Sequence, residues 1–268
     1  TATRVNSAGF IVSVDANIPR LNYLTAGGTP FILDEPQKTN SFNYSEEFEN
    51  VYWTKQNSTI VSNAITSPDG LLTGEKLVDN STSNLHQVSV GAGAAANYTF
   101  SVYAKAGTIN FLGLYNGGVA KGVFFNLTTG NFSGNIVGAP LSFKSVNAGN
   151  GWFRLSINVS PTSANSQFQI LLSNNGTSFS YSGSNQFAYI WGAQLEAGAS
   201  QTSYIKTIAS SVTRNADIIT VAPPVGTVKI TTTFSDNTTQ VITSIPALFT
   251  VPEGLIKQVL MQSSLWYT

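Results

Sequence analysis

The 268 residues carry 13 basic and 13 acidic side chains for a formal net charge of zero, and only 10% are charged, where roughly 25% is usual in soluble domains. Cations this few and scattered exclude nucleic-acid binding by phosphate neutralisation. With no cysteine there is no disulfide framework or thiolate metal site, and no apolar run approaches the ~18 residues that span a bilayer, so membrane insertion is not expected.

In chain order, residues 1–40 read as an extended N-terminal arm. Residues 10–14 form a short strand, Ile18-Pro19-Arg20 and Thr29-Pro30 interrupt, and Phe31-Ile32-Leu33 follows. Glu35-Pro36 ends the stretch, because the residue before proline is pushed to extended geometry. From 41 to 217, short apolar stretches alternate with Gly/Asn/Ser turns, the pattern of a β-sandwich. Ser67-Pro68-Asp69-Gly70 and Asn116-Gly117-Gly118 are such turns, and strands are predicted over 98–105, 109–115, 123–127, 152–159, 168–173 and 187–195. No convincing 3.6-residue period competes with them. The Pro223-Pro224-Val225-Gly226 stretch marks a shift into a small C-terminal β domain, 218–268, with strands predicted over 227–234, 240–243, 247–251 and 256–261. So short a domain buries little core alone, so it is expected to pack on a partner or on trimer mates.

Strand alternation sorts side chains by face. Phe100, Val102 and Ala104 point to a core, as do Leu155, Ile157 and Val159, and Phe168, Ile170 and Leu172. Phe187, Tyr189, Trp191 and Leu195 are read as core on the last long strand. The opposite rows supply Tyr103, Lys105, Trp152, Arg154, Asn158, Gln167 and Gln169. Sugars offer flat C–H faces and hydroxyls, so rings flanked by amides and cations suit them. These seven are the candidate glycan contacts; ordinary solvent-facing residues are the plainer alternative.

Acid–base chemistry has little to draw on. Between Asp79 and Glu196 there is no Asp or Glu, and His86 is the only histidine. A glycan depolymerase needs two carboxylates across a cleft, and the carboxylates here sit at the ends of the domain. The expectation is a binding or structural protein and not an enzyme, with His86 structural. Glu46, Glu47 and Glu196 could meet where the first and last strands adjoin. A structural Ca²⁺ is the one cofactor they would hold, with a salt bridge or solvated edge as the alternative.

Several phrases carry a family resemblance. They include Tyr44-Ser45-Glu46-Glu47-Phe48-Glu49-Asn50-Val51-Tyr52-Trp53-Thr54-Lys55, Pro68-Asp69-Gly70, Tyr98-Thr99-Phe100-Ser101-Val102-Tyr103-Ala104-Lys105, Gly149-Asn150-Gly151-Trp152-Phe153-Arg154, Tyr189-Ile190-Trp191-Gly192-Ala193-Gln194-Leu195-Glu196 and Thr202-Ser203-Tyr204-Ile205. In this order they resemble a module of tailed-phage tail, fibre and virion-surface proteins, itself similar to β-sandwich carbohydrate-binding modules. The resemblance covers residues 1 to about 217. It implies a lectin-like jelly roll on the virion surface, and it transfers no ligand-contact residue. The expected protein is all-β: a jelly-roll sandwich with an arm and a small C-terminal domain. Its expected partners are further copies of itself in a homotrimer, other virion proteins and host-surface glycan, with a ligand-free head-fibre, cement or tail scaffold protein as the alternative.

Overall fold

The computed structural model describes residues 2–93, 96–162 and 166–263, and among these there is no helix. The chain is all-β and divides into two compact units, Thr39–Thr213 and Thr1–Lys38 with Arg214–Thr268.

The larger unit is a β-sandwich of two six-stranded antiparallel sheets. The first runs Phe132–Val137, Lys121–Asn126, Phe111–Asn116, Ser166–Ser173, Gln87–Ala92, Thr54–Gln56. The second runs Ser142–Gly149, Trp152–Val159, Tyr98–Ala106, Phe187–Ala197, Gly74–Asp79, Ser58–Ile65. Period-two alternation puts Val88, Leu114, Phe168 and Ile170 of the first sheet into one core with Phe100, Leu155, Ile157 and Ile190 of the second. Phe42 centres the aromatic contacts there, meeting Trp53, Phe100 and Phe168 at centroid distances of 5.2, 5.6 and 5.8 Å, each edge-on. Rings prefer that geometry because an electropositive edge meets an electronegative face.

The acidic stretch 44–53 is not a strand but a run of turns pinned from inside. Trp53 Nε1 donates to the Tyr44 carbonyl at 2.9 Å, and the buried Glu75 carboxyl accepts from Phe48 N–H at 2.7 Å. Asn40, also fully buried, uses its whole amide. Nδ2 donates to the Ala193 and Ile205 carbonyls, and Oδ1 accepts from Phe42 and Leu195 N–H. Asn40→Ala strands those main-chain groups, so a destabilisation of about 1–3 kcal/mol is expected in denaturant titration.

One predicted face is inverted. On Phe187–Ala197 the core residues are Ala188, Ile190, Ala193 and Leu195, while Phe187 and Tyr189 lie half-buried on the other side. The cause is a bulge, in which the register opposite Tyr98–Ala106 shifts between Ser101 and Tyr103. Gly192 occupies it at φ 63°, in the left-handed region that glycine tolerates. Trp191 is buried, but against Tyr103 and Tyr204 and not in the sandwich core.

In the smaller unit a five-stranded sheet runs Thr239–Ile242, Thr227–Phe234, Gly254–Ser263, Pro30–Asp34, Arg20–Tyr23. Residues read from sequence as an arm thus share a sheet with the C-terminal segment, through the pairs Ile256↔Ile32, Leu255↔Leu33 and Gly254↔Asp34. The small core that 218–268 could not complete alone is finished by Ile32, which packs with Ile230, Phe249, Val251 and Ile256. Beside it Arg20 is buried and fully engaged. It donates to the Thr3 carbonyl at 2.9 Å, to Glu35 at 2.8 Å and, through Nε and Nη2, to Asp217. Arg214 adds a second cation to the same two carboxylates.

Candidate functional site

The seven candidate contacts fall on different sheets. Tyr103, Lys105, Trp152, Arg154 and Asn158 belong to the second sheet, Gln167 and Gln169 to the first. They do not form one surface.

On the second sheet the outward row is covered, so the exposed ring-and-cation platform expected from alternation is not there. Trp152 is 1% exposed and its indole Nε1 donates to the Thr66 carbonyl. Arg154 lies along the sheet, donating to the Thr202 carbonyl and to Ser101 Oγ, with its guanidinium 5.3 Å from the Tyr103 ring. Asn158 is spent on the Tyr98 and Gly198 carbonyls and Thr99 Oγ1. The cover is the chain's own segment after the last long strand. Tyr204 packs on Tyr103 and Trp191, and Thr202 bonds Arg154 and Glu196. Single-strand alternation says which side of a sheet a residue takes, not whether a later segment lies over it. Only Lys105 of this group stays half-exposed, its ammonium on the Asn150 carbonyl at 2.7 Å.

Two of the Ca²⁺ candidates are engaged by other side chains. Glu196 is fully buried and accepts from both the N–H and the hydroxyl of Thr202. Glu46 accepts from Tyr204 Oη at 2.9 Å and pairs with Lys206 Nζ at 2.6 Å. Burial holds its carboxyl above the usual carboxylate range despite that cation. Glu47 is half-buried. Among the described residues no three His, Cys, Asp or Glu side chains converge as a metal would need. His86 is buried, with both ring nitrogens against carbonyls, Nδ1 to Asn57 at 2.6 Å and Nε2 to Tyr181 at 3.2 Å.

The first sheet offers a different surface. Its outer side is set by the strands whose alternate residues fill the core, and neighbouring pairs align its side chains in rows. One row reads Gly122, Tyr115, Gln169, Ser89, Thr54, and the next Phe124, Gly113, Leu171, Gln87, Gln56. Gln167 opposes Gly91 in a third. Apolar packing fills one flank, where Phe124, Ile136 and Leu171 are buried and Tyr115 lies half-covered against them. Toward Thr54–Gln56 the face turns polar. Gln169 Nε2 donates to Gln167 Oε1 at 2.7 Å, Gln167 Nε2 to Ser89 Oγ at 3.3 Å, and Gln87 Nε2 to Gln56 Oε1 at 3.0 Å. Ser89 and Gln87 are the buried floor of this ladder, while Gln167, Gln56 and Thr54 are its exposed rim. Gln87 Oε1 is buried with no hydrogen-bond partner, an acceptor whose desolvation is uncompensated. Glycines keep the rows low. A Cβ on Gly117 would meet the Gln169 amide at 3.1 Å, and one on Gly113 would meet Ile136 and Phe124 below 3 Å.

Sequence reading found Gln167 and Gln169 but missed Gln56, Gln87, Ser89 and Tyr115. Alternation within their own strands, 87–92 above all, would have shown that they point away from the core. It could not show which strands are neighbours.

No protein-family model and no curated protein matches the chain. Among solved structures it is similar to the enzymatically active domain of bacteriophage CBA120 tailspike protein 4, with a TM-score of 0.34 and 14% identity. The match covers 58% of this chain and 21% of that one. That structure is described as an enzymatically active domain, which corrects the expectation that the present chain is not an enzyme; the expectation is withdrawn. A likeness this slight carries no mechanism across, and no activity is assigned in its place.

Proposed function

We propose that the chain is a virion-surface component of a tailed phage whose sandwich attaches to glycan on the host surface, and that the contact face is the outer side of the first sheet. The sequence phrases shared with phage tail and fibre modules support the virion role. The attachment reading is carried by one observation, the ladder of Gln56, Gln87, Ser89, Gln167 and Gln169 beside Tyr115, whose rim amides at Gln56 and Gln167 are exposed. Amides give directional bonds to hydroxyls, and a half-covered phenol gives an apolar edge for a sugar's C–H face. Assembled as a homotrimer with other virion proteins, several such faces on one particle would turn modest single-site affinity into high avidity.

The test is a glycan array and host-cell binding assay on the purified protein, with Gln169→Ala and Tyr115→Ala beside wild type. Each substitution is expected to weaken binding several-fold to about tenfold, the worth of one or two neutral hydrogen bonds or one ring contact. Circular dichroism should stay unchanged. Wild-type binding that survives both substitutions would place the contact elsewhere.

A further inference from the structure

We infer that the ligand of this face is an uncharged, hydroxyl-rich glycan, and that acidic polysaccharides bearing carboxylate or sulfate groups are rejected. This rests on the attachment reading above and narrows it to a chemical class.

The first observation is charge. The outward positions of the first sheet hold Gln, Asn, Ser, Thr, Tyr, Phe, Leu, Ile and Gly, and none of those in its aligned rows is charged. Carboxylates and sulfates are recognised by Arg or Lys, whose donors match their oxygens and whose charge replaces lost solvation. The cation on the adjoining edge strand, Lys55, is committed elsewhere. Its ammonium has three protons, and it donates to the Glu49, Asn50 and Trp53 carbonyls at 2.9, 2.8 and 2.8 Å.

The second observation is that the ladder is bonded among neutral groups, amide to amide or amide to hydroxyl. Gln87 Oε1 lies buried beneath it, and the amides of Gln56 and Gln167 form the exposed rim. A sugar hydroxyl both donates and accepts, so it matches an amide's carbonyl and its N–H together. A carboxylate or sulfate has no proton to give, and it would set an anion beside the amide oxygens without a counter-charge.

The experiment measures binding to an array that pairs neutral glycans with carboxylated and sulfated glycans of matched backbone, at low and high salt, using the full chain and a Gln56→Lys variant. Gln56 lies on the exposed rim, so the substitution leaves the core intact. Neutral glycans are expected to bind, with acidic counterparts weaker by about tenfold or more. Affinity should be insensitive to salt, because no ion pair is screened. Gln56→Lys should raise acidic-glycan binding and make it salt-dependent, and a folded variant that gains nothing overturns the placement of the ligand on this face. If wild type binds acidic glycans as tightly as neutral ones, the inference is overturned while attachment stands. If folded wild type binds no glycan of either class, both fail.

Discussion

Replacing Glu75 by glutamine is expected to stabilise the sandwich unit at neutral and alkaline pH, by an amount that grows as pH rises. Glu75 is buried behind the opening turns, where it accepts from Phe48 N–H and shares a hydrogen bond with the Glu49 carboxylate. Burial first, and the second carboxylate next, push its carboxyl up to about 10. The folded state therefore holds a proton that the unfolded chain releases near pH 4.5. Between those values the folded form binds more protons than the unfolded one, so native stability falls with rising pH, by at most about 1.4 kcal/mol per pH unit. Glutamine keeps the geometry without the titration: its N–H₂ donates to Glu49 and its carbonyl accepts from Phe48. Denaturant titrations at pH 5, 7 and 9, read by tryptophan emission, should show wild type losing stability more steeply than Glu75→Gln. Parallel curves for the two proteins would show that Glu75 is not the group that titrates.

Arg20→Met is the second large effect, and it should appear in the smaller unit. Arg20 lies between Glu35 and Asp217 with almost no exposure, and removing it leaves both carboxylates to Arg214 alone, at 3.5 and 3.8 Å. Deleting one partner of a buried ion pair costs about 3–5 kcal/mol when the remaining charge is uncompensated, so with Arg214 in place the loss should fall toward the lower end of that range. Asp34, which burial and then Asp217 and Glu253 already push up to about 6, adds a third acid to the same neighbourhood. The loss should therefore shrink as pH falls through about 6, where Asp34 takes up a proton and the neighbourhood sheds one negative charge. Three of the four tryptophans, Trp53, Trp152 and Trp191, lie in the sandwich unit, so hydrogen exchange across 227–263 is the suitable readout. Protection unchanged within about 1 kcal/mol would mean that the pairs contribute no more than surface ion pairs do.

What the sequence disclosed followed from how local each signal is. Phe100, Leu155, Ile157, Phe168 and Ile170 were legible as core because two-residue alternation is written along each strand. Ser142–Gly149 was missed because it is an edge strand, mostly exposed, with little apolar alternation to find. The inversion around Trp191 came from one residue, Gly192, whose bulge shifts the phase of everything before it. The union of 1–38 with 214–268 is a pairing nearly the whole chain apart, for which no local pattern exists. The candidate site divides along the same line. Gln167 and Gln169 share a strand and were visible together, whereas their rows with Ser89, Gln87 and Tyr115 exist only through strand neighbours. Trp152 and Arg154 showed the right chemistry for a surface that residues of the same chain conceal.

The most direct measurement compares Gln169→Ala with Lys105→Ala in glycan titration of the intact protein. Gln169 sits in the ladder of the first sheet, and Lys105 is the half-exposed candidate of the second. Loss of binding in Gln169→Ala with wild-type affinity in Lys105→Ala is the predicted result. Unimpaired binding in Gln169→Ala, with loss in Lys105→Ala, would contradict it and return the contact face to the second sheet.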